Sequence, residues 1–86
     1  EHIGQVIKQE LEKQERSVAW LARKLSCDRS NIYRIFQKES IDTCLLVRIS
    51  IILQHDFFEG FSASIRSQLL EQNESIYKFY NVDIIL

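Results

Sequence analysis

Residues 17–37, SVAWLARKLSCDRSNIYRIFQ, decide how this chain folds. Val18, Leu21, Ala22 and Leu25 recur at i, i+3, i+4 and i+7, the spacing of one buried helical stripe, and Ser17 stands where an N-cap is wanted. Ser26, Cys27 and Asp28 break that period and make a three-residue turn. A second helix is expected over Arg29–Gln37. At about 100° per residue, Arg29, Ser30, Tyr33, Arg34 and Gln37 share an arc of roughly 140°, and Ile32, Ile35 and Phe36 lie opposite. One face is core, including Phe36; the other is polar, basic and aromatic. Asn31 falls between the two.

Working outward, Ile3, Val6, Ile7, Glu10 and Leu11 mark a first amphipathic helix that covers the core. After the central stretch, Lys38, Glu39 and Ser40 form a polar loop. Asp42 reads as the N-cap of a fourth helix, with Ile41 and Leu46 as its hydrophobic staple and Leu45, Leu46, Ile49, Ile52 and Leu53 as its buried face. Asp56 and Glu59 have capping-box spacing, and Phe57, Phe58 and Phe61 suggest a short fifth helix closing the bundle. The chain has no proline, which suits this pattern. The expected fold is therefore all-α, with four to five helices over residues 1–61 and a C-terminal extension over residues 62–86. Within the extension, Ser62–Asn73 fits a helix with Ile65, Leu69 and Leu70 inward, or a strand. Gln72–Ser75 reads as a polar turn. Ile76–Leu86, rich in Tyr, Phe, Val and Ile, leans toward a strand that pairs with its copy in a second subunit or packs over Trp20. Trp20 itself lies off the stripe of its helix, so it either covers the side of the bundle or meets this tail.

At 86 residues the chain is long enough for one compact domain, and a core of that size is marginal enough that a partner subunit would add stability. No run of about 18 apolar residues is present and no basic-then-apolar signal segment opens the chain, so a cytosolic location is expected and no membrane is implicated. The chain starts at Glu1 and ends in NVDIIL, which leaves trimming at either terminus open. The formal net charge is only −1, but its distribution is uneven. Residues 16–38 hold Arg16, Arg23, Lys24, Arg29, Arg34 and Lys38 against Asp28 alone, a local net charge of +5; residues 1–15 carry −2 and residues 39–86 carry −4. The basic charge sits on the central stretch. A phosphate backbone needs a basic surface, not a basic protein.

Two short helices meeting at a tight turn, the second presenting a basic and aromatic face, form the arrangement by which a helix-turn-helix puts its second helix into the DNA major groove. Residues 3–61, about two thirds of the chain, resemble the lambda-repressor-like (Cro/C1-type, XRE) helix-turn-helix domain. The resemblance rests on Leu21 and the small Ala22 at the helix crossing, on Leu25, Ile32 and Ile35 at the remaining core positions, and on the order of the helices. It implies a sequence-specific DNA-binding regulator that needs no cofactor, with Arg29–Gln37 as the recognition helix. Arg29, Ser30, Tyr33, Arg34 and Gln37 then stand where the family contacts bases or nearby phosphates, and Lys38 and Thr43 where it contacts the DNA backbone. A two-fold homodimer on double-stranded DNA is the expected assembly. The chain departs from the pattern at Ser26, where a glycine of positive φ is usual, and at Val18, where many members have a phosphate-contacting Gln. That phosphate contact would pass to Arg16, Ser17 or backbone N–H groups. Arg29 and Arg34 each either read guanine O6 and N7 with the guanidinium fork or hold phosphates; Gln37 suits adenine, and Tyr33 suits a thymine methyl or a phosphate.

Other chemistries find little support in the residues. Cys27 and Cys44 lie 17 positions apart without a CxxC pair, and are expected to be buried or half-buried reduced thiols. His2 and His55 lack ligand spacing. Glu10 with Glu12, or Glu71 with Glu74, read as solvated helix faces, not as catalytic pairs. Two glycines cannot make a phosphate-cradling loop. The chief alternative is a protein-interaction module, such as the DNA-binding half of an antitoxin or a subunit of a larger regulator; an enzyme comes third, for want of a nucleophile–base pair.

Overall fold

A computed structural model describes residues 1–72 of the chain. The strand expected over 76–86 lies outside the described residues. Five α-helices follow one another: α1 Ile3–Lys13, α2 Val18–Lys24, α3 Arg29–Phe36, α4 Thr43–Leu53 and α5 Glu59–Gln72. No strand occurs among the described residues, so the all-α expectation is met.

Most helix starts follow from local side chains. Ser17 Oγ accepts from the Trp20 N–H at 3.0 Å, and Asp42 Oδ2 accepts from the Leu45 N–H at 3.2 Å, so both expected N-caps satisfy a donor that a helix start leaves orphaned. At α1 His2 takes this role, its Nδ1 accepting from the Gln5 N–H. The turn before α5 is built differently from a capping box. Asp56 Oδ1 accepts from the Phe58 N–H at 2.9 Å, the Asp56 carbonyl accepts from the Glu59 N–H at 3.4 Å, and the Ser62 N–H donates to the Phe58 carbonyl at 3.0 Å.

Three helices end in the same way. The Arg16 N–H donates to the Leu11 carbonyl, the Cys27 N–H to Ala22 and the His55 N–H to Ser50. These are Schellman closures, and each needs a left-handed residue just before that donor. Glu15, Ser26 and Gln54 fill those positions, with φ of 57°, 55° and 51°. Ser26 thus adopts the positive φ that its place in the turn demands, despite carrying a Cβ.

The core is apolar throughout. Ile3, Ile7 and Leu11 of α1 meet Leu21, Ala22 and Leu25 of the α2 segment, Ile32, Ile35 and Phe36 of α3, Leu46, Ile49 and Leu53 of α4, and Phe57 from the last turn. Trp20 is half-buried against this cluster and covers the side of the bundle, alongside Ile52 and Leu53. Helix α5 is longer than the short closing helix expected, and it runs unbroken through residues 61 and 62. Beyond Phe61 it buries nothing. Ile65, Leu69 and Leu70, expected to face inward, are 57%, 40% and 43% exposed.

A further set of contacts fixes α1 to the end of α3. The Ile3 and Gly4 N–H groups donate to the Glu39 and Lys38 carbonyls at 3.0 and 2.9 Å, and Gln5 Nε2 donates to the Phe36 carbonyl at 3.0 Å. Orphan donors at one helix start therefore satisfy orphan acceptors at another helix end. The close approach depends on Gly4, which is buried: a Cβ there would strike the Ile35 carbonyl oxygen and lie 2.5 Å from that of Phe36.

Candidate nucleic-acid interface

The eight-residue α3 packs through Ile32, Ile35 and Phe36 and leaves its other side in solvent. Ser30, Tyr33, Arg34, Gln37 and Lys38 line one open depression of about 430 Å³ on that side. Five of the nine expected contact residues are thereby brought together. Arg29, at the first position of α3, is exposed but does not line the depression. Arg16 and Ser17 lie at the start of α2, where the Ser17 hydroxyl is engaged as the N-cap. Thr43 opens α4 and borders a separate, mainly apolar hollow with Ile3, Ile41, Leu46, Phe58 and Phe61.

Four side-chain contacts order this surface. Tyr33 is 55% exposed, yet its ring packs edge-on against the buried Phe36, with centroids 6.1 Å apart. Its aromatic body is thus anchored while one face stays open. Arg34 Nη1 donates to Asn31 Oδ1 at 2.9 Å. The Arg16 guanidinium lies 4.5 Å above the centre of the Trp20 ring, and Lys24 Nζ is 5.9 Å from the same ring, both inside the range of a cation–π attraction.

The electrostatics of the surface follow from what its cations do not meet. Among the described residues the sole contact within 4.0 Å between a basic and an acidic side chain is that of His55 Nδ1 with Glu10 Oε1, at 3.5 Å. None of the six basic residues from 16 to 38 has a carboxylate within 4.0 Å among the described residues, so no ion pair there neutralises their charge. Such a surface attracts anions over about a Debye length.

Several residues have roles that the local pattern did not suggest. Glu10, read as part of a solvated face, is half-buried: it accepts from Gln14 Nε2 at 2.7 Å, and that nitrogen also donates to the Leu53 carbonyl at 2.8 Å. With His55, this group ties the end of α4 to α1. Of the two free thiols, Cys27 is half-buried as expected, whereas Cys44 is exposed because it occupies the outward side of the first turn of α4. Among the described residues, no helix is long and apolar enough to cross a membrane.

Comparison with protein-family models, with curated proteins and with solved structures gives no match.

Proposed function

We propose that this chain is a sequence-specific DNA-binding transcriptional regulator of the lambda-repressor-like kind, acting in the cytoplasm, with α2 across the DNA backbone and α3 in the major groove. The observation that carries this reading is the solvent side of α3. It combines an ordered guanidinium, an anchored tyrosine, an amide and a lysine in one depression, within a region of +5 charge that no carboxylate among the described residues pairs. Those are the groups that read base edges and hold phosphates. Arg16 and Ser17 at the start of α2, with Arg29, Lys38 and Thr43, supply the flanking backbone contacts. The uncovered apolar side chains of α5, Ile65, Leu69 and Leu70, favour a homodimer, whose two recognition helices would span half-sites one helical turn apart, ~34–36 Å.

The same exposed apolar residues, together with Val47 and Ile51 on α4, favour the alternative of a protein-interaction module. Selection of bound sequences from a random duplex library, with affinities measured at two salt concentrations, separates the two. A regulator enriches a palindrome and shows a steep salt slope; an interaction module enriches nothing and binds DNA weakly.

A further inference from the structure

Of the two arginines on α3, one is held and the other is not. Arg34 Nη1 is committed to Asn31 Oδ1 at 2.9 Å, one turn back along the helix, whereas no side-chain hydrogen bond to Arg29 occurs among the described residues. Asn31 is half-buried at the margin between the core and the solvent side, and its hydrogen bond to Arg34 lies on the exposed side of α3. A guanidinium presents five N–H donors in a rigid plane. With Nη1 occupied, the opposite edge, Nε and Nη2, remains as an open pair of parallel donors, the pattern that fits guanine O6 and N7.

We propose that Asn31 is a positioning residue that makes Arg34 the specificity-determining reader of a guanine, by fixing its guanidinium before DNA arrives. This rests on the DNA-binding reading of α3 and adds to it the division of labour between the arginines: Arg34 discriminates between bases and Arg29 holds a phosphate. The gain comes from preorganisation. An arginine that is already ordered loses less freedom on binding, and releasing one such side chain is worth about three- to tenfold in affinity. That factor is felt only where the fork meets its base.

The test repeats the library selection with wild type, N31A, N31D, R34A and the N31A/R34A double variant, with the thermal midpoint of each protein measured alongside. Wild type enriches guanine at one position of each half-site, and R34A loses that preference. N31A reduces the preference about three- to tenfold at that position alone, leaving the other positions and the salt slope unchanged and the thermal midpoint no lower than that of wild type. N31D keeps the preference, because its carboxylate places an acceptor where the amide oxygen stood. In the R34A background, N31A has no further effect on base preference. A wild-type guanine preference that N31A leaves intact overturns the positioning role, as does an N31A effect of equal size with and without Arg34. If wild type enriches no sequence at all, the DNA-binding reading fails, and this inference falls with it.

Discussion

Replacing Gly4 by Ala tests the contact that joins α1 to the end of α3. Alanine is the better helix former by about 1 kcal/mol in a helix interior, so propensity alone predicts a more stable protein. The structure predicts the reverse. The added methyl would lie 2.5 Å from the Phe36 carbonyl oxygen and 2.6 Å from its carbonyl carbon, and backbone atoms cannot swing aside as a side chain can. An ordinary contact of about 3.4 Å or more would require α1 to retreat by about 1 Å. The Ile3–Glu39 and Gly4–Lys38 hydrogen bonds then lengthen, each worth roughly 1 kcal/mol, and overpacking costs typically ~1–3 kcal/mol more. Set against the propensity gain, the net loss is about 3 kcal/mol, or a fall in Tm of roughly 12–24 °C for a domain of this size. Thermal and urea unfolding followed by circular dichroism measure it. Gly60 provides the internal control, since the three atoms nearest a Cβ there all belong to the Glu1 carboxylate, the far end of a flexible side chain; Gly60→Ala should be neutral or stabilising by up to about 1 kcal/mol. A Gly4→Ala protein as stable as wild type, or one that matches Gly60→Ala, would falsify the close approach of α1 to α3.

Further expectations concern the turn, the cap and the exposed helix. Ser26→Gly should raise stability by about 1 kcal/mol by relieving the left-handed strain at φ 55°, measured by the shift of the urea midpoint; no gain would mean that the turn is not strained. Ser17→Ala should cost about 1 kcal/mol by leaving the Trp20 N–H without its acceptor, and an unchanged midpoint would count against the cap. If α5 joins two copies, the Ile65→Asp/Leu69→Asp pair should turn the dimer into a monomer by sedimentation and leave the monomer core intact. A dimer that persists would place the contact elsewhere.

How far the sequence could be read depended on how far apart the partners lie along it. The α2–α3 unit is local: the stripe Val18, Leu21, Ala22, Leu25, the break at Ser26–Asp28 and the opposed faces of α3 all follow from spacing within 21 residues. The positive φ at Ser26 was suggested only by the resemblance, which puts a glycine at that turn position; spacing alone left the turn's construction open. Helix α5 was less legible. Ile65 and Leu69 have helical spacing, but periodicity specifies which side chains share a face, not whether anything covers it. Glu10 was misread because the groups that hold it include His55, 45 positions away, and no local pattern announces that partner. Gly4 did leave a trace, as an isolated glycine in an otherwise good helix pattern, the usual mark of a close packing contact. Asn31 left one too, standing three residues before Arg34 at the spacing where helical side chains meet.

The solvent side of α3, the reading face proposed above, is therefore local in sequence, whereas its placement is not. A helix of eight residues has too few backbone hydrogen bonds to stand alone in water. It persists because Ile32, Ile35 and Phe36 are buried and because α1 donates hydrogen bonds to the carbonyls of Phe36, Lys38 and Glu39. If α3 reads DNA as proposed, two kinds of damage to binding should follow, and they should be separable. Loosening the α1–α3 contact at Gly4 moves the whole face and lowers stability in the same step, so affinity falls at every position of the site. Changing Asn31 or Arg34, neither of which belongs to the buried apolar cluster, should leave the core packing in place and alter the preference for a single base.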